Sequence, residues 1–299
     1  MARIVFALVW SLALAGTARA QDACPPAGYT IEQLHQLKFI EFAVPADDVR
    51  QSLALGLIGC LGDPRPALRD GIAFEALSKW MRATELGVAT LRAVRDRLMP
   101  GLDAKDGAGF RGPFSALVMS ELARTDRIKP WMTAEEREAL VQAAAKYLTG
   151  VKDYRGFSDA EGWRHGVAHG SDFILQLALN SGINKPQLDR LLEAVASQVS
   201  PAGAPAYHNA EPERMAQPVF YIAQRGMHDE TEWDAWFSRA LNPAPLASWD
   251  EAFGSEAGLS KRHNALEFIL VLHAAVSQST NPNVGRMMPA LSEALKRVQ

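Results

Sequence analysis

Beyond its first twenty residues the chain lacks any apolar run near the roughly 18–20 residues that span a bilayer. That excludes a helical membrane span from the body of the sequence. Basic runs are missing too. The 31 Lys and Arg stand against 34 Asp and Glu, a formal net charge of -3, so no electrostatic feature favours nucleic acid as a partner. Cysteine is scarce: Cys24 and Cys60 are the only two, and their spacing does not resemble a metal knuckle. There are no alternating runs of β-branched residues bounded by turn signals, so no strand is expected. Phosphate loops fail as well, because the Gly-rich stretch 101–112 has no following Lys-Ser/Thr and no preceding strand. Ser115 is in no nucleophile-elbow context, and no Ser, His and acid arrangement emerges from spacing.

The N-terminus carries a targeting pattern. Arg3 precedes the apolar run Ile4–Ala15, and Ala18-Arg19-Ala20 is the small-x-small pattern of a cleavage site. Cleavage is expected after Ala20, giving an exported, periplasmic or secreted protein. Cys24 lacks the Leu-small-small prelude of a lipoprotein. In an oxidising compartment Cys24 and Cys60 suit a disulfide tying the tail to the helix near Cys60; two free thiols are the alternative.

Helical periodicity then runs almost unbroken. Thr30 caps a segment over 31–39. Helices are expected over 47–60, 86–99, 134–148, 184–199, 211–224, 231–241, 260–279 and 284–298, with another opened by Phe110–Ser115. Thr133 with Glu136 forms a capping box. Residues 200–206 are the most linker-like point. These elements read as an all-α domain, a curved α/α superhelix of stacked antiparallel hairpins in the HEAT manner, or else a closed α/α toroid. The expected layout is a signal segment 1–20, a tail and short helix 21–45, and one α/α superhelical domain 46–299.

The densest chemistry lies in 155–180, RGFSDAEGWRHGVAHGSDFILQLALN. A helix starting near Asp159 and Gly162 would place His165, His169, Asp172 and Gln176 in one arc of roughly 60°, between apolar or small flanks. So thin a polar stripe suggests a cleft or a buried polar network. His165 and His169 at i, i+4 with Asp172 one turn on can present two imidazoles and a carboxylate to a metal ion. The Glu of the zinc-protease motif is absent after the first His, which excludes that hydrolase type. The other readings are a metal-free acid/base or ligand-binding pair with Asp172 orienting His169, and a satisfied network pinning hairpins together.

Trp163, Arg111 and Arg155 complete the candidate groove. Arg111 follows the Gly-rich loop and is expected to face the stripe, toward an anionic ligand or Asp172; an ordinary interhelical ion pair is the alternative, as for Arg155. Arg69, Asp70 and Glu75 belong to the rim of helix starts. Tyr207, Tyr221, Trp233, Trp236 and Trp249 offer either core packing or a sugar- or peptide-binding surface, with core packing favoured.

Three blocks, LIGCLGDPRPALRDGIAFEALSKWM, FRGPFSALVMSELARTD and DYRGFSDAEGWRHGVAHGSDFILQLA, resemble in order and spacing the bacterial domain-of-unknown-function family 2785. The resemblance spans roughly residues 50–280, and GWRHGVAHGSD is its most specific part. Ser171 stands where the family pattern has Ala. The resemblance implies an all-helical, superhelical fold and brings no established activity. Two functions follow from the residues: a binding or scaffold module for a peptide, glycan or protein partner, or a hydrolase or lyase using the His/His/Asp stripe with or without a metal.

Overall fold

A computed structural model describes residues 23–299. The export segment expected over residues 1–20 lies outside the described residues. The described chain is all-α apart from one two-residue hairpin. Its helices are α1 (Ile31–Phe39), α2 (Asp47–Leu57), α3 (Pro66–Leu68), α4 (Glu75–Arg82), α5 (Val88–Leu102), α6 (Arg111–Ile128), α7 (Ala134–Gly150), α8 (Gly166–Ala178), α9 (Lys185–Val199), α10 (Glu211–Gln224), α11 (Glu230–Ala240), α12 (Glu256–Ser277), α13 (Pro282–Gly285) and α14 (Met288–Val298). Tight 3-10 turns occupy Ile58–Gly62 and Trp249–Gly254, and a π-helical turn, Arg69–Phe74, joins α3 to α4.

Local sequence explains several helix starts. Thr30 with Gln33, Thr133 with Glu136, Asn184 with Gln187 and Asp229 with Glu232 form reciprocal capping boxes at α1, α7, α9 and α11. Each satisfies two backbone N–H groups that the first turn would leave without partners.

The helices pack in sequential pairs, such as α5 with α6 and α7 with α8. Across pairs, each long helix also leans on the helix two places along. One series runs α4, α6, α8, α10, α12 and α14; the other runs α7, α9 and α11. A continuous apolar cluster from Leu34 to Val298 fills the space between. It takes in Trp233, Trp236, Trp249 and Tyr207, all buried, so these C-terminal aromatics are core side chains.

The linker-like stretch 200–206 is pinned rather than loose. Lys261 donates to the Ser200 carbonyl at 2.5 Å and Asn264 to the Pro205 carbonyl at 2.9 Å. Cys24 and Cys60 form a disulfide with Cα atoms 4.8 Å apart, tying the N-terminal tail to the turn after α2.

One expectation is corrected outright. The chain does contain strands: β1 (Phe157–Ser158) and β2 (Gly162–Trp163) pair antiparallel, Phe157 opposite Trp163 and Ser158 opposite Gly162. The residues expected to start the helix, Asp159 and Gly162, instead make this hairpin's turn and its second strand.

Candidate functional site

The hairpin determines where the site residues point. Glu161 donates its N–H to the Ser158 hydroxyl at 3.2 Å across the turn, and Gly162 exits it at φ +72°. A Cβ at Gly162 would crowd Arg69 at 3.1 Å and Pro66 at 3.2 Å, so glycine serves both the left-handed backbone and the close approach.

Arg69 is the anchor beneath. It is fully buried in the π-helical turn, and π-turns commonly mark functional positions. Its guanidinium donates to the Glu161 carbonyl at 2.8 Å and to the Asp63 carbonyl at 3.1 Å, and it lies 3.9 Å over the Phe110 ring. Arg164, 4.2 Å from the same ring, donates to the Ala108 carbonyl at 2.6 Å. Two cations thus share one aromatic ring and fasten the hairpin to the start of α6.

His165 ends the hairpin and caps α8 in the left-handed conformation, φ 57° and ψ 41°. Non-glycine residues pay for that conformation, so it persists where surrounding contacts impose it. Here the His165 N–H donates to the Arg155 carbonyl at 3.1 Å and its carbonyl accepts from the His169 N–H at 3.0 Å. The twist takes the imidazole off the lateral face of α8. It stacks on Trp163, centroids 4.7 Å apart and planes 25° apart. Its Nε2 faces Glu211 Oε1 at 3.8 Å.

Glu211 is itself buried at the start of α10, after a second left-handed residue, Ala210 at φ 63°. Its other oxygen accepts from the Asn209 N–H at 2.8 Å. His169 meets His165 edge-on at 5.6 Å and Phe114 at 5.3 Å. Among the described residues, His165 Nε2 and His169 Nδ1 are buried without a hydrogen-bond partner.

Burial lowers both imidazoles below their ordinary value of 6.5. Glu211 works against that for His165, and Arg214 works with it. For His169, burial is reinforced by His165 and Arg214, and its affinity for a proton falls furthest. Both rings are neutral at pH 7, so each keeps an acceptor nitrogen.

The rest of the expected stripe is engaged by neighbouring helices. Arg214 of α10 clamps Asp172 through both carboxylate oxygens, the Nε contact at 2.8 Å. Burial raises the Asp172 carboxyl, Arg214 draws it back, and Glu121 pushes it up again. Glu121 is held by Arg82 at 2.9 and 2.5 Å, and Arg127 donates to Gln176 at 3.3 Å. Asp172 therefore serves Arg214 and not His169.

The metal reading of His165, His169 and Asp172 required all three on one face of a helix. Among the described residues no group of three or more His, Cys, Asp or Glu is placed to hold a metal ion. The left-handed twist at His165 breaks the helical register on which that reading depended.

Arg111 reaches the Gly59 carbonyl at 3.1 Å and the Ile58 carbonyl at 3.4 Å, joining the start of α6 to the 3-10 turn. Arg155 pairs with Asp153, its Nε at 2.8 Å. Its backbone serves the site while its side chain does not. Trp163 is 39% exposed and Phe157, 4.9 Å from it, 50%. They form an aromatic surface over His165.

Residues 102–273 match the family described as protein of unknown function (DUF2785). The chain belongs to that family. No curated protein and no solved structure matches the chain. The DUF2785 match contains the hairpin, both histidines, Asp172, Glu211 and Arg214, whereas Arg69, Arg82 and the disulfide lie before it.

Sequence reasoning missed Glu211, Arg214 and Phe157 and gave Arg69 no role at the site. One signal for Glu211 was present: an acid followed by Pro212 marks a helix start, where a carboxylate meets the positive end of a helix.

Proposed function

We propose that this DUF2785 protein is an exported binding module that engages a peptide, glycan or protein partner at the Trp163–Phe157 surface and the polar groove beside it. The observation that carries the reading is that pair of exposed aromatic rings, Trp163 stacked on a buried imidazole and both mounted on a hairpin held by Arg69. A flat aromatic face with few rotatable bonds orders at small entropic cost and suits sugar rings or peptide side chains. Export rests on Arg3, the apolar run Ile4–Ala15 and Ala18-Arg19-Ala20, and the Cys24–Cys60 disulfide fits an oxidising compartment. Packing of each helix on the helix two places along fits a curved superhelix of stacked hairpins, with Glu121, Asp172 and Arg214 on one series of neighbouring helices.

A second reading is favoured by one specific feature. His165 Nε2, unpartnered and 3.8 Å from Glu211, has the make-up of a metal-free acid/base pair for a hydrolase or lyase.

Titrating soluble oligosaccharides and short peptides against Trp fluorescence separates the two. The module reading requires saturable binding that Trp163→Ala abolishes and His165→Gln retains. Turnover of a bound compound, lost in both His165→Gln and Glu211→Gln, would establish the enzyme instead. If neither class of compound binds, the module reading fails.

A further inference from the structure

Away from the hairpin, where α4 and α6 end, a cavity of about 160 Å3 opens between buried Met81, Leu86 and Leu91 and the ring of Trp131. Its mouth is framed by Val88 and Ile128, 43% and 58% exposed. The Trp131 wall is fixed in place. Its Nε1 donates to the Thr125 hydroxyl at 2.9 Å, and Arg92 lies 5.8 Å from the ring. An apolar cavity of roughly 150 Å3 stays dry and takes a benzene-sized guest.

The charged lining has one sign. Arg82, Arg124 and Lys129 line the cavity and no carboxylate does. Arg82 is occupied by Glu121. Arg124 and Lys129 form no side-chain hydrogen bond or ion pair among the described residues, although the chain as a whole carries more acids than bases. Arg127, one residue before Ile128, adds a further positive charge: it donates to Gln176 rather than to an acid, and burial together with Arg124 disfavours its charged form. Cations at a helix C-terminus complement the dipole of α6. That explains a positive end, but not the apolar cavity beside it.

We propose that this cavity binds a small hydrophobic carboxylate, a ring or short alkyl chain filling the apolar space while Arg124 and Lys129 hold the carboxylate. The match is one of chemistry: an apolar body of ring size with a single negative charge at the mouth. A free organic acid and the C-terminal carboxylate of a peptide ending in an aromatic residue present the same groups.

Calorimetric titration tests the assignment on the whole protein. The ligands are 3-phenylpropionate, its neutral isostere 3-phenylpropanol, and a hexapeptide ending in phenylalanine with a free carboxyl. Saturable binding of an acid is expected, with the alcohol at least about tenfold weaker, as for loss of a charged hydrogen bond. Arg124→Gln/Lys129→Gln, at partly or fully exposed positions, should weaken the acid by a similar factor and leave the alcohol unchanged. Val88→Trp, which obstructs the mouth without touching the interior, should remove binding of both. The tighter of the free acid and the peptide identifies the source. Equal affinity for acid and alcohol, acid affinity unchanged in the double variant, or no saturable binding of either acid would overturn the proposal.

Discussion

Asp126 and the His165–His169 pair are almost equally shielded from water, at 1% exposure against 8% and 6%, yet they use their hydrogen-bonding capacity in opposite ways. Asp126 accepts from the N–H groups of Trp131 and Met132 at 2.9 and 2.8 Å, from Arg137 at 2.7 Å and from Asn180 at 2.9 Å. Its two oxygens are fully occupied, and they join the end of α6, the start of α7 and the end of α8. The histidines retain one unpartnered nitrogen each, beside two left-handed backbone positions, His165 and Ala210. Burial of polar groups therefore does not mark function by itself. Unsatisfied capacity held in a strained frame does, because a stable fold normally pairs such atoms.

The sharpest way to break this contrast is Asp126→Ala. Removing one side of a buried pair strands the other charge, so unfolding free energy should drop by about 3–5 kcal/mol, read by chemical denaturation. A loss below about 1 kcal/mol would make Asp126 no more structural than the histidines.

Stability against pH separates the clusters next. Because both imidazoles titrate below 6.5 in the fold, the unfolded chain takes up protons that the folded chain refuses. Their contribution is complete above about pH 6.5 and lost as pH falls below it. Burial pushes the Asp126 carboxyl up, but hydrogen bonds from Arg137, Met132, Trp131 and Asn180 together bring it below 3.8. Its contribution is lost only in more acid solution, as pH falls through that lower value. Melting curves should thus show two separate slopes. His169→Leu should flatten the upper slope alone, and Asp126→Asn the lower alone.

At neutral pH His169→Leu should change stability by less than about 1 kcal/mol in either direction, since it trades a poorly paired polar group for an apolar one of similar bulk. A loss above about 2 kcal/mol in equilibrium unfolding would show the histidine to be a structural pin. Trp163→Ala should have the smallest stability effect, about 0.5 kcal/mol at a position already 39% exposed, while removing partner binding.

Most of the helical layout was legible in the sequence because its causes are local. Thr133 with Glu136 and the Thr30 cap over 31–39 act within one or two turns. Core packing was the favoured reading of Trp233 and Trp236, and both are buried. The site was legible only as a neighbourhood. His165 and His169 are adjacent in space, but the register that placed them on one face assumed a helix through Asp159. A two-residue strand leaves too short a pattern to read, and a left-handed histidine has no spacing signature. Glu211, Arg214 and Arg69 make their contacts across 42 to 92 residues of chain, so those contacts are tertiary and no local window contains them.

The covalent bond at Cys24–Cys60 also makes the two ends of the array unequal. When each helix leans mainly on helices one and two places along, loss of order must pass from neighbour to neighbour. The tail and α2 are tethered through that bond, whereas α14 is held by packing against α11 and α12. Fraying should therefore enter from α14 and move inward, giving the chain a direction of unravelling. Amide exchange read residue by residue would run fastest in α14 and slowest in α6 and α8, beneath the hairpin.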